Sequence, residues 1–283
     1  MIELITRAGV REVIDKYGLS AKKKLGQHFL VDNHVLQKIL NAADVNEDDV
    51  VLEIGPGIGA LTQGMLRRGA EIVAVELDKQ LVPVLESLFS GAPLTIVQDD
   101  ILRVDLHTLL APYEGCNLKV IANLPYYITT PVILYLLESG IPFESITILI
   151  QKEVAQRMAA NPGQKDYGSL TLAVQYYADV EIAAYVPVNS FMPRPGVDSA
   201  VITLTLLKKP RTDYDKDILF KVIRAAFNQR RKTMVNALES AGLGTKEQIA
   251  SALTAAGLDV RIRGEALSLA QFEDVTRALG ESV

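Results

Sequence analysis

The chain has 283 residues, room for about two domains at roughly 150 residues each, and its 49% hydrophobic and 22% charged residues exclude a disordered or fibrous chain. A net charge of −5 argues, as an average, against a polyanionic partner. One cysteine, Cys116, excludes an intramolecular disulfide and points to a cytoplasmic protein, and the N-terminus lacks the layout of a signal peptide. The longest uncharged run, 120–137, is broken by Asn123, Pro125 and Pro131, so no membrane span is expected.

Taken in chain order, the first feature is a basic island from Arg7 to Lys24, with six Lys/Arg against two Asp/Glu. Short, almost continuously apolar runs then recur at 50–54, 72–76, 94–98, 118–122 and 146–150, as expected for strands covered on both faces of a parallel sheet. Helical patterns alternate with them at 61–68, 79–90 and 131–139. The last has Thr129 and Thr130 as candidate caps and Pro131 as first helical residue. Strands at 181–188 and 200–207 read as an antiparallel pair closing the sheet. From Lys208 to Lys232 a second basic island carries nine Lys/Arg against three Asp/Glu, which with the first leaves −15 on the rest of the chain. Two such segments on an acidic body suit a phosphate-binding face, although solvated helix faces would look the same. Helices follow at 216–227, 230–240, 246–256 and 269–279. The expected division is therefore an α/β domain over 1–208, mostly parallel, and a smaller all-α domain over 209–283.

Three successive strand ends carry groups suited to one cofactor pocket. After the first, Gly55-Pro56-Gly57-Ile58-Gly59 lets a ligand approach backbone without meeting Cβ atoms, with Gly55 and Gly57 as the candidate contacts. Glu76 ends the second strand, 19 residues beyond Gly57, where a carboxylate can accept both hydroxyls of an adenosyl ribose. Asp100 follows the third and can accept from an adenine amino group. NAD and S-adenosylmethionine share that nucleoside. The fourth strand end, Asn123-Leu124-Pro125-Tyr126, separates them. An exocyclic adenine amine is a weak nucleophile that needs orientation more than a base. The Asn123 side-chain oxygen and the Leu124 carbonyl can accept its two N–H groups, Pro125 stiffens the turn, and Tyr126 offers a face for an extruded base. His28, His34 and His107 match no zinc-ligand spacing, so no metal is expected, and Ser199 has no histidine partner for nucleophilic catalysis.

Five segments, 24–30 (KLGQHFL), 53–59 (EIGPGIG), 123–126 (NLPY), 189–200 (NSFMPRPGVDSA) and 227–233 (FNQRRKT), together resemble the ribosomal RNA adenine dimethylase family, and the likeness extends to 263–269 (RGEALSL). The resemblance implies a Rossmann-like class I methyltransferase sheet and S-adenosylmethionine as donor. The implied product is N6,N6-dimethyladenosine at two adjacent adenosines near the 3′ end of 16S rRNA, made on an immature small subunit. It places cofactor contacts on His28, Leu30, Gly55, Glu76, Asp100 and Asn123, with a backbone contact favoured at His28 because many members carry Asn there. It also implies that Phe191 stacks on the target adenine opposite Tyr126, while Tyr127 is read as packing. Lys22, Lys23, Lys24, Arg230, Arg231 and Lys232, the last three expected on a helix, are the candidate RNA contacts flanking the groove to Tyr126. A monomer is expected. The alternatives are a large-subunit RNA dimethylase, an assembly factor acting mainly by binding, and an NAD-dependent oxidoreductase. The long C-terminal segment weighs against the first, and 123–126 against the last.

Overall fold

The computed structural model describes residues 2–19 and 26–280. The chain forms two compact units, Met1–Ala155 with Asp179–Lys208, and Gln156–Ala178 with Lys209–Val283. The first opens with α1 (Arg7–Tyr17), β1 (Phe29–Leu30), α2 (Asn33–Ala42), β2 (Asp49–Ile54), α3 (Ala60–Leu66), β3 (Glu71–Glu76), α4 (Val82–Leu88) and β4 (Leu94–Gln98). Then come α5 (Leu106–Leu110), β5 (Asn117–Asn123), α6 (Thr129–Glu138) and β6 (Ser145–Gln151). The chain passes along α7 (Lys152–Met158) into the second unit, and α8 (Ser169–Gln175) leads back to β7 (Ala178–Val186), β8 (Phe191–Met192) and β9 (Ser199–Leu206).

The seven-stranded sheet has the order β4-β3-β2-β5-β6-β9-β7. Its first five strands pair in parallel, and β9 is antiparallel to β6. Every residue of β2 is buried, because helices cover both faces of a central parallel strand, which is why its sequence is continuously apolar apart from Asp49 and Glu53. The strand order reverses at β2 and β5, and the carboxyl ends of those two strands therefore open a crevice. At the opposite end of the sheet the Lys119 ammonium is buried 3.0 Å from Asp49, whose carboxylate also accepts from Asn46 N and Asn117 Nδ2.

A second sheet, not expected from the sequence, consists of two residues from each side: Phe29 pairs with Met192 and Leu30 with Phe191. The loop around β8 is tied further. Ser190 Oγ donates to Asp32 Oδ2 at 2.8 Å while the same carboxylate caps α2 by accepting from His34 N and Val35 N. Arg7 of α1 donates to the Asn189 carbonyl.

The second unit contains α9 (Lys216–Asn228), α10 (Met234–Ser240), α11 (Lys246–Ala255) and α12 (Leu269–Leu279). The caps of α11 and α12 are Thr245 with Gln248 and Ser268 with Gln271, each a reciprocal box. Residues 156–178 depart from the expected division at 208. Tyr167, Leu172 and Tyr176 are buried in one cluster with Leu219, Phe220 and Phe272, and Tyr167 donates its hydroxyl to the Leu267 carbonyl at 2.7 Å. Burial of large apolar side chains, about 1.5–3 kcal/mol each, gives this segment its place among the C-terminal helices.

Two helix starts also differ from expectation. Thr129 is the first residue of α6, not its cap, and its Oγ1 donates back to the Pro125 carbonyl, leaving Pro131 tolerated within the first turn. Thr233 caps α10, so Arg230, Arg231 and Lys232 occupy the turn between α9 and α10 instead of a helix. Among the described residues no helix is long and apolar enough to cross a membrane.

Candidate active site

One pocket in the first unit collects the ends of β2, β3, β4 and β5 together with β1 and β8. Of the expected site residues, His28, Leu30, Gly55, Gly57, Glu76, Asp100, Asn123, Leu124, Pro125, Tyr126 and Phe191 all line it. Lys22, Lys23 and Lys24 lie outside the described residues.

The floor is built from backbone. Gly57 has φ +62°, and a Cβ there would lie 3.3 Å from the Phe29 ring, so a side chain would be strained and would crowd β1. The Gly57 N–H donates to Glu76 Oε2 at 3.0 Å and Asp78 N donates to Oε1 at 2.8 Å. These bonds hold the Glu76 carboxylate across the turn. Burial raises its pKa above the ordinary carboxylate range, and the two N–H groups oppose that rise. Asp100 accepts from Leu102 N, which fixes its carboxylate at the start of the loop after β4. The fit to S-adenosylmethionine is good in kind: a carboxylate lining the pocket, an acidic loop and a glycine-built floor suit its ribose, adenine and amino-acid chain.

The end of the pocket at Asn123 is polar without being basic. Asn123 ends β5 and donates from Nδ2 to the His28 carbonyl oxygen at 2.8 Å, which leaves Oδ1 as the acceptor available to the pocket. His28 is engaged through its side chain as well as its backbone. Its Nδ1 donates to the Pro193 carbonyl at 2.8 Å, and its ring stacks on Tyr126 with centroids 5.9 Å apart and planes at 29°. Tyr126 shares a 2.9 Å hydrogen bond with Ser199 Oγ, and burial raises its pKa. Phe191 borders the pocket at only 1% exposure and belongs also to the surrounding hydrophobic core. Tyr127 is not packing: it is 56% exposed on the pocket rim. Beneath the floor lies a residue that sequence reading passed over. Glu53 accepts from the Thr62 hydroxyl at 2.6 Å, its Oε1 has no partner, and desolvation by burial raises its pKa to about 8.

In the second unit, Arg230 donates to Glu265 Oε2 and to the Lys165 carbonyl, so its guanidinium is engaged within the protein, while Arg231 and Lys232 are exposed. Among the described residues no group of three His, Cys, Asp or Glu could hold a metal ion.

Sheet order, glycine turn, acidic strand ends and a polar loop after β5 define a Rossmann-like class I methyltransferase, which uses S-adenosylmethionine. The ribosomal RNA adenine dimethylase family matches residues 18–278. The chain is 50% identical to a ribosomal RNA small subunit methyltransferase A from Lachnoclostridium phytofermentans, over 96% of both chains. It is 46% identical to the protein of the same name from Geobacillus thermodenitrificans, over 98% of this chain and 97% of that one. The chain belongs to the ribosomal RNA adenine dimethylase family. Among solved structures, a dimethyladenosine transferase from Plasmodium falciparum superposes with a TM-score of 0.74 at 25% identity, covering 87% of this chain and 95% of that one. The 23S rRNA methyltransferase ErmE shares the fold, with a TM-score of 0.69 at 23% identity over 89% of this chain and 99% of that one.

Proposed function

We propose that the protein dimethylates N6 of two adjacent adenosines near the 3′ end of 16S rRNA, on an immature small ribosomal subunit late in its assembly, acting as a cytoplasmic monomer. The names of the relatives at 50% and 46% identity support small-subunit RNA over large-subunit RNA. The observation that carries the chemistry is the direction of the Asn123 amide, fixed by its bond to the His28 carbonyl.

Bound S-adenosylmethionine supplies an electrophilic methyl group on sulfonium sulfur. Glu76 accepts from its ribose hydroxyls, Asp100 from its adenine amine, and backbone at His28, Leu30, Gly55 and Gly57 lines the rest of the nucleoside. The target adenine leaves its stack and enters between Tyr126 and Phe191. Asn123 Oδ1 and the Leu124 carbonyl accept the two N–H groups of its amine, which turns the nitrogen lone pair towards the methyl group. Pro125 keeps the turn rigid, so the alignment costs little when the base arrives. Once the nitrogen carries the methyl group it is cationic and loses a proton to water without a strong base. After one methylation a single N–H remains for these acceptors, enough to orient the second transfer. Exposed cations at Arg231 and Lys232, and in the sequence Lys22, Lys23 and Lys24, hold RNA phosphates. Arg230 supports them by bracing the turn.

Small subunits lacking the modification, incubated with the protein and labelled cofactor, should yield N6,N6-dimethyladenosine in 16S rRNA. Asn123→Ala should slow transfer by about 100-fold or more while RNA binding persists, in line with removal of one oriented electrostatic interaction. Near-normal turnover in that variant defeats the orienting role, and label in 23S rRNA alone defeats the choice of subunit.

A further inference from the structure

Two consecutive tyrosines stand on the pocket in opposite states. Tyr126 is half-buried, backed by the His28 ring and held through its hydroxyl by Ser199. Tyr127 is 56% exposed yet lines the same pocket. The ring stands beside the Gly26 segment, since a Cβ placed on Gly26 would lie 3.7 Å from Tyr127 Cδ1 and Cε1. The turn that carries it is fixed as well, since Leu124 N donates to the Leu149 carbonyl and both Ile128 N and Thr129 Oγ1 donate to the Pro125 carbonyl. Tyr185, the next most exposed aromatic side chain at 53%, is different: the Lys152 ammonium sits 5.1 Å from its ring centroid, which occupies one face.

An exposed π-face on a fixed turn at the mouth of a pocket that accepts one base suits the next base along the strand. Stacking on an aromatic ring needs no particular hydrogen-bond pattern, because every base has a π-face, and purines cover more of the ring than pyrimidines do. Resting on the functional reading above, we infer that Tyr127 is a stacking ledge for the unpaired purine nucleotide that adjoins the target, namely the other adenosine of the pair. Tyr127 stands at one place on the rim, so the ledge serves the neighbour on one side of the pocketed base. The pair is gripped as a dinucleotide, and the ledge must accept a base whether or not it has been methylated.

The test uses undermethylated small subunits and two variants, Tyr127→Ala and Tyr127→Phe. The alanine variant should raise KM for subunits by about 5- to 30-fold, the scale of one base–aromatic stack, with a much smaller change in kcat and in cofactor affinity by calorimetry. Phenylalanine should restore the wild-type KM. A merely structural role is separated by a second substrate, subunits whose rRNA carries uridine in place of the adjoining adenosine. The wild type should bind these several-fold less well, and Tyr127→Ala should not distinguish them from the normal subunits. An unchanged KM in Tyr127→Ala, or full retention of adenosine preference by that variant, overturns the ledge. Wild-type protein that leaves every subunit unmethylated overturns instead the functional reading on which it rests.

Discussion

Glu53→Gln should make the protein more stable at alkaline pH, although it removes a charge from the centre of the sheet. Glu53 is fully buried on β2, accepts one hydrogen bond from Thr62, lacks a partner at Oε1 and feels the neighbouring Glu76 carboxylate. Its pKa rises from 4.5 to about 8, first because burial strips the charged form of water. The folded state therefore keeps a proton that the unfolded chain releases. The stabilisation this proton gives is complete below pH 4.5 and is lost as pH climbs through about 8. The slope is about −1.4 kcal/mol per pH unit near pH 6 and halves by pH 8, a loss of roughly 2 kcal/mol over that interval. Glutamine mimics the neutral acid: it keeps an acceptor for Thr62 and carries a donor where the acid carries its proton. Urea unfolding followed by circular dichroism at pH 6, 7, 8 and 9 isolates this group, because contributions of other residues cancel in the difference between the two proteins. Stability should fall more steeply with pH in the wild type up to about pH 8, then run parallel to that of the variant. Parallel curves across the whole range would mean that Glu53 is charged in the folded protein, and the account of its burial would fail.

Asp32→Ala removes both the cap of α2 and the acceptor of Ser190, so unfolding stability should fall by about 1–2 kcal/mol. Methyl transfer should fall further than stability explains, because the Asn189–Phe191 segment loses its tie; activity unchanged at a temperature where the variant is folded would show the tie to be idle. Arg231→Ala with Lys232→Ala should weaken RNA binding and flatten its salt dependence by about 0.7 in log–log slope for each phosphate no longer neutralised. Arg230→Ala, which releases Glu265 and the Lys165 carbonyl, should change that slope less. Equal slopes for the double variant and the wild type would place those two cations away from RNA.

The parallel strands were legible because their burial on both faces leaves an uninterrupted apolar run, and the pocket because its groups stand at strand ends. The Phe29–Leu30 and Phe191–Met192 pairing was not legible. Two residues display no period, and their partnership spans most of the first unit. Residues 156–178 escaped for a related reason. The helices α7 and α8 have seven residues each, too short to reveal which face is buried before the partner helices are known. Arg230, Arg231 and Lys232 have good helix propensity, and Thr233 outweighs it by capping α10 at Asn236 N. Glu53 sat in plain view within an apolar strand. Alternation alone could not say that its side chain is buried against Thr62 of α3.

On the proposed mechanism, the choice of residue at the end of β5 follows from two tasks. One end of the side chain must donate, since the His28 carbonyl lies 2.8 Å away and would repel a second acceptor. The other end must accept from an amine whose lone pair has to stay free for reaction. A primary amide holds donor and acceptor in one plane, so the bond that anchors it also aims it. Aspartate could accept from the amine but could not hold His28. It would also add charge beside Glu76 and Asp100, which line the same pocket. A histidine or lysine could serve as a base, yet would put a donor where N6 must present its own. The His28 carbonyl belongs in turn to the segment that leads into β1, and β1 pairs with the segment bearing Phe191. The Asn123 amide, the His28 backbone and the wall bearing Phe191 are thereby tied into one connected group of bonds, which on the proposed mechanism would set the orientation of the reacting nitrogen.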